Sequence, residues 1–310
     1  MLREFTPGDL PELLDLLGRH FPEEDALLGR KPESYRRIVE RIYRPHYRFA
    51  IGLLRVLGRP LYRFFVIEAD RRIAATTIVT FPARAGYVST VMVDTPYRRR
   101  GYARRLLREA ASVTRRSHRR YLVLDVLTHN TAARALYDSL GFEWLRRQAY
   151  MVREFPPPAE PLAATPGVRS FRRGDARSLV GVAAAALPPL VSEVLPPSEA
   201  QFQARDPISD ALESETAAWV VDGSGSAEAY VGATVSRSVL SANLTAPVVG
   251  PGVDESRAGA LVATALCWIQ DRHVPRVLSE VADHNVRGRR ALEAQGFREA
   301  FGMDTLLLRL

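Results

Sequence analysis

The stretch that decides the fold is Val91-Met92-Val93-Asp94-Thr95-Pro96-Tyr97-Arg98-Arg99-Arg100-Gly101-Tyr102-Ala103-Arg104-Arg105-Leu106-Leu107. An apolar strand runs into a basic turn, and the turn opens a helix. The first N–H groups of a helix have no partner within it and carry partial positive charge. A glycine lets the backbone approach an anion closely. Arg98, Arg99, Arg100, Arg104 and Arg105 surround the turn. The arrangement suits phosphate, and a pyrophosphate above all.

Outward from that stretch the pattern stays readable. Residues 62–68, 73–81 and 85–94 are rich in β-branched and aromatic residues and read as strands. Gly101 to about Ser117 reads as a helix, with Leu106, Leu107, Ala110 and Val113 on one face. Residues 121–126 read as a buried strand, 130–140 as a helix, and 142–154 as final strands. The segment from Lys31 to Arg59 is additional and reads as helices beside the site.

The chain repeats itself. Leu2-Arg3-Glu4-Phe5-Thr6-Pro7-Gly8-Asp9 parallels Val168-Arg169-Ser170-Phe171-Arg172-Arg173-Gly174-Asp175. Asn130 and Gly141 stand eleven residues apart, as do Asn285 and Gly296, and each glycine precedes a phenylalanine. Matched punctuation at matched spacing indicates a tandem duplication. Between the copies, residues 156–167 hold five prolines and make a semi-rigid spacer. The expected organisation is therefore 1–155, a linker at 156–167, and 168–310.

Charge is divided unevenly. The formal net charge is +8, yet residues 1–155 hold 29 Lys and Arg against 17 Asp and Glu, while the rest hold 14 against 18. A basic half with a phosphate-like turn fits an anionic ligand, nucleic acid, or a plainly solvated arginine surface. The single cysteine, Cys267, excludes an internal disulfide framework and reads as a small packing residue. The amino terminus has no apolar signal core, and the most apolar stretch, 49–57, is too short to span a bilayer. The expected location is cytoplasmic, without membrane contact. No Gly-x-x-x-x-Gly-Lys phosphate loop, His-Glu-x-x-His zinc motif or Gly-x-Ser-x-Gly nucleophile elbow occurs. Nothing argues for a metal.

The order strand, basic turn, helix, strand, Asn, helix, Gly-Phe resembles the GNAT acetyltransferase superfamily. Its pyrophosphate loop, Gln/Arg-x-x-Gly-x-Gly/Ala, is matched by Arg98-Arg99-Arg100-Gly101-Tyr102-Ala103. The resemblance covers nearly all of residues 1–155 and the second half more loosely. It implies an α/β (α+β) fold of two tandem GNAT-like domains, each a mixed, mostly antiparallel sheet flanked by helices. It implies acetyl-CoA as acyl donor. Backbone groups of Val91, Met92 and Val93 would meet the pantetheine arm. Residues 99–104 would wrap the pyrophosphate, and Asn130 would contact the donor. The strands at this point would splay to form the cleft. Tyr137 matches the tyrosine that protonates the departing thiolate.

Acetyl transfer to an amine needs a bound donor, a neutral amine and a proton for the sulfur. A phenol can supply that proton. Tyr137 either does so or packs beneath the sheet. Asp125, a carboxylate in an apolar strand, should have a task or a partner. It either accepts the amine's proton or pairs with a nearby arginine. Glu68 and His129 are further candidates for the base. In the second half, counting from Asn285 sets Val253 opposite Arg98, Ser256 opposite Gly101 and Leu292 opposite Tyr137. With Asp254 and Glu255 in its loop, that half is expected to keep the fold without donor binding or catalysis. The expected function is N-acetyl transfer from acetyl-CoA to a small-molecule or peptide amine, by a monomer or homodimer. Nucleic acid is not the expected partner. The alternative is a non-catalytic sensor or a nucleic-acid or ribosome-binding module on the same fold, to which the basic cluster Arg115, Arg116, Arg119 and Arg120 lends support. That cluster could also meet the 3′-phosphate of coenzyme A.

Overall fold

The computed structural model describes residues 1–20, 62–82, 84–155, 167–202, 214–223, 225–236 and 242–310. The additional segment from Lys31 to Arg59 and nearly all of the proline-rich spacer lie outside the described residues. In the first half the elements are β1 (Leu2–Glu4), α1 (Leu10–His20), β2 (Tyr62–Ala69), β3 (Arg72–Thr80), β4 (Ala85–Val93), α2 (Tyr102–Arg116), β5 (Tyr121–Leu127), α3 (Thr131–Asp138) and β6 (Glu143–Glu154). The second half follows with β7 (Val168–Ser170), α4 (Ala176–Ala185), α5 (Pro189–Val194), β8 (Ser214–Asp222), β9 (Ala227–Ser236), β10 (Ala242–Leu244), β11 (Val248–Val249), α6 (Glu255–Gln270), β12 (Arg276–Ala282), α7 (Val286–Ala294) and β13 (Arg298–Arg309). The expected strands and helices of the first half fall within a residue or two of these bounds. Residues 143–154, however, form one long strand.

All the described strands belong to a single mixed sheet in the order β1-β2-β3-β4-β5-β13-β6-β12-β10-β9-β8-β7, with β11 on β9. Among the described residues only β4–β5 and β10–β12 are parallel. The last strand of each half crosses into the other. β13 lies between β5 and β6, and β6 lies between β13 and β12. Met303 follows Gln148 by the same 155 residues that separate Asn285 from Asn130, and the two pair directly. A pseudo-twofold axis therefore passes between Gln148 and Met303. Asp125 pairs with Thr305 on one side of it, and their repeat counterparts Glu280 and Tyr150 pair on the other.

Each half repeats one piece of scaffolding. Arg3 holds both oxygens of Asp9 (2.7 and 2.8 Å) and reaches Glu68 (3.1 Å). Arg169 holds Asp175 (2.9 Å twice) and Asp222 (2.7 and 2.6 Å). The aspartates also accept the backbone N–H groups of Thr6 and Arg172, fixing the turn before each first helix.

The helices divide between the two faces of the sheet. On one face, α2 buries Leu106, Leu107, Ala110, Ala111 and Val113 at helical spacing against Phe65, Ile67, Val88, Leu122 and Leu124, while its arginines face away. On the other face, α1 covers Phe64, Val66 and Met92. There α5, from the second half, packs on Tyr121, Val123 and Leu307. The second half thus supplies both a strand and a helix to the neighbourhood of β4 and β5.

Candidate active site

β4 and β5 pair only from Ala85 to Val88 and from Tyr121 to Leu124. Beyond that they part. Val91, Met92 and Val93 remain bonded on their other side to Thr77, Thr76 and Ala75 of β3. A bulge at Ser89, where the β3 register shifts, starts the divergence. The result is a gap between two parallel strands, bordered by the three residues expected to meet the donor.

At the end of β4 the chain enters the basic turn. Asp94 is buried and accepts the Thr95 N–H (2.9 Å), and Arg19 of α1 approaches its carboxylate (3.4 Å). Arg98 donates from Nε to the Val93 carbonyl (3.3 Å), and Arg100 lies over the Tyr97 ring (5.3 Å). Arg99 and Gly101 have φ of +62° and +78°. That left-handed geometry comes without strain only to glycine. A β-carbon on Gly101 would meet nothing within 4 Å, so the surface before it is open. The first backbone bond of α2 runs from Arg105 N–H to the Gly101 carbonyl (3.0 Å). The N–H groups of Tyr102, Ala103 and Arg104 precede it and have no partner inside the helix. Arg104 extends to Ser139 Oγ (2.6 Å) at the end of α3. These residues form an open, positively charged helix entrance whose chemistry is that of an anion site. The cluster at Arg115 and Arg116 sits at the other end of α2, roughly 20 Å away at 1.5 Å per residue, too far to serve the same phosphates.

Asn130 caps α3. Its side-chain oxygen accepts the Ala133 N–H (3.1 Å). Tyr137, on the same helix, is 7% exposed and packs at 5.8 Å from the Phe142 ring. Burial pushes its phenol up to about 12, so it carries its proton throughout the neutral range. Asp125 points to the opposite face, where α1 and α5 lie. Its partners are neutral donors: the Tyr87 hydroxyl, Thr305 Oγ1 (2.6 Å) and Gln148 Nε2 (3.5 Å). No described arginine forms an ion pair with it. Burial and the adjacent carboxylate push the Tyr87 phenol far up, which keeps it a donor to Asp125. Tyr87, Thr305 and Gln148 were missed by sequence reasoning. Tyr87 was findable, because it shares the strand face of Asp125; Thr305 requires knowledge of the strand exchange. Glu68 is bonded to Arg3 at the edge of the sheet, away from the gap, and His129 is exposed in the turn before α3.

The second half closes the same place. Asn285 caps α7 through Gly288 N–H (3.0 Å), and its amide also donates to the Pro247 carbonyl (3.0 Å) between β10 and β11. Arg287 bonds the carbonyls of Gly250 and Val253. A β-carbon on Gly288 would lie 2.3 Å from the Pro247 oxygen. Its first-half counterpart, Ala133, carries one. Helix α6 starts after an Asp254 cap, so Asp254, not Ser256, stands where Gly101 stands. Counting back from Asn285 misses this because α6 begins two residues farther from its asparagine than α2 does. Leu292 does occupy the place of Tyr137 and is fully buried.

A mixed sheet with splayed parallel strands and a basic turn opening a helix, repeated in its framework by the second half, defines a tandem α/β fold. Most of the first half matches the GNAT acetyltransferase family. Residues 23–142 match the family model described as Acetyltransferase (GNAT) family. A 67-residue stretch is 46% identical to N-alpha-acetyltransferase RimI of Mycobacterium tuberculosis, covering 21% of this chain and 40% of that protein. The chain thus matches less than half the length of this curated relative. Over its whole length the fold is similar to a tandem GNAT protein from the clavulanic acid biosynthesis pathway (TM-score 0.70, 15% identity, 98% of that chain). It is also similar to a GCN5-related N-acetyltransferase from Sphaerobacter thermophilus (TM-score 0.65, 16% identity, 100% of this chain and 95% of that one). Among the described residues no helix is long and apolar enough to cross a membrane, and no cluster of three or more His, Cys, Asp or Glu could hold a metal ion.

Proposed function

We propose that residues 1–155 bind acetyl-CoA and transfer its acetyl group to a primary amine in a ternary complex. The observation that carries this is the contrast between the halves. The first keeps an open strand gap joined to an open, positive-φ turn. The second closes the gap with Asn285 and Gly288 and occupies the turn's carbonyls with Arg287. We therefore assign the donor to the first half alone and a supporting role to residues 168–310.

Acetyl-CoA supplies an activated thioester. The backbone of Val91, Met92 and Val93 would align its acyl end, and the turn from Arg98 to Arg104 would hold its diphosphate. As the amine nitrogen bonds the acetyl carbon, its proton passes to Asp125, directly or through water. The carbon–sulfur bond breaks, and Tyr137 gives its proton to the sulfur and regains one from solvent. Asp125 suits its part because its three donors hold the carboxylate in place on the face opposite α2.

We favour a small-molecule amine as acceptor. A peptide N-terminus is the second reading, supported by the similarity to an N-alpha-acetyltransferase. Screening small amines and short peptides for acetyl-CoA-dependent thiol release tests both. Release with any amine, lost in Tyr137→Phe, supports the enzyme. Donor binding without release across the panel supports a sensor.

A further inference from the structure

A cavity of about 220 Å³ lies mainly in the second half and borders the Asp125 network through Gln148. It lies on the sheet face that bears Asp125 in the first half, and Glu280, the repeat counterpart of Asp125, lines it. Arg146 and Gln148 reach it from β6, so the exchanged strand of the first half forms part of its floor. Val182, Leu187, Leu195 and Val248 give it apolar walls.

Charge sits at its two ends. Tyr150 pairs with Glu280 and Gln148 with Ala282, so Arg146 is displaced along β6 by four residues from Glu280's partner, about 13 Å at 3.3 Å per residue. The Arg146 Nε donates weakly to Thr305 Oγ1 (3.5 Å), and no described carboxylate forms an ion pair with the guanidinium. Beside it, His284 Nδ1 is buried without a hydrogen bond, 3.6 Å from Asp283. Burial, aided by Arg146, holds the His284 imidazole neutral at pH 7, which leaves Arg146 as the cation of that end. Toward the donor side, Asn285 bonds the Pro247 carbonyl and Arg287 bonds the carbonyl of Gly250.

We propose that this cavity binds a small amphoteric molecule, with a carboxylate at the Arg146 end, an amine at the Glu280 end and a short apolar chain between. The inference does not depend on the transfer reaction.

Calorimetry on the full chain with ε-aminocaproate, caproate and hexylamine tests it. The amphoteric probe is expected to bind at least about tenfold more tightly than either single-ended one. Arg146→Gln should weaken ε-aminocaproate by about tenfold or more and leave hexylamine unchanged, and Glu280→Gln should weaken ε-aminocaproate likewise and leave caproate unchanged. Acetyl-CoA titrated into the same variants reports the donor site separately. Should Arg146→Gln fail to fold, Val182→Trp fills the cavity from α4 and is expected to abolish probe binding. No heat from ε-aminocaproate at about 10 mM would overturn the assignment. So would equal binding of the three probes, or binding that survives Arg146→Gln or Val182→Trp.

Discussion

If the last strands are exchanged, residues 1–155 should not exist as a folded monomer. Removing the second half takes both neighbours from β6 and the outer neighbour from β5. Leu306 and Leu307 of β13 are fully buried, and burying a leucine contributes about 1.5–3 kcal/mol. The seven register pairs between β5 and β13 carry a ladder whose bonds contribute about 0.5–1.5 kcal/mol each. Together these reach roughly 6–17 kcal/mol, comparable to the roughly 5–15 kcal/mol that stabilises a whole domain. The fragment would also expose Leu122, Val123 and Leu124 on an unpaired edge, which invites association. Because β6 and β13 are repeat counterparts, a second copy's β6 can take the place of β13. The fragment is therefore expected to be insoluble or a strand-exchanged homodimer by light scattering. Mixing it with 168–310 should restore one heterodimer. A soluble monomer with cooperative unfolding and undiminished acetyl-CoA affinity would refute the reasoning.

Other consequences concern single residues. Tyr137→Phe should lower turnover by roughly one to three orders of magnitude with donor affinity little changed; an unaltered rate removes Tyr137 from the mechanism. Tyr137 also predicts an alkaline loss of stability. Its folded pKa of about 12 exceeds the unfolded value near 10, so the native state binds more protons in that window, and stability falls as pH rises through it. The loss is on the order of 2–3 kcal/mol, is complete near pH 12, and should shrink in Tyr137→Phe when unfolding is measured against pH. At the acid end, Arg169 with the Arg172 N–H holds the Asp175 carboxyl below its usual range, and the Arg3 bonds outweigh burial to do the same for Asp9. That stability is present above about pH 4 and lost below it, so Arg169→Gln should flatten the acid limb of the same measurement. Asp125→Asn should leave donor binding intact and slow transfer most at low pH, where the amine most needs a base; equal slowing at every pH would point to a purely structural role.

Local chemistry was legible in the sequence, and long-range pairing was not. Alternating β-branched strands, the spacing of Leu106, Leu107, Ala110 and Val113, and the glycines at 141 and 296, both at positive φ, each specify structure within a few residues. A strand's pattern is the same whether it pairs in its own half or the other, so nothing in residues 143–154 announces that β6 lies beside β12. The network around Asp125 was hidden for that reason, since Thr305 lies 180 residues away. Asn130 carried a local signal that the resemblance overshadowed: asparagine before a helix is a cap, and its oxygen is spent on Ala133. The closure of the second half was only partly readable. Asp254 and Glu255 stand in the loop, but the seat of Arg287 on two backbone carbonyls depends on where α7 meets β11.

The central claim is one donor site per chain, at the turn around Gly101. Titrating acetyl-CoA into the full chain in a calorimeter tests it most directly. One site per chain is expected, lost in Gly101→Glu, where a carboxylate would project into the open space before the helix. Two sites per chain, no binding at millimolar donor, or undiminished binding by Gly101→Glu would contradict it.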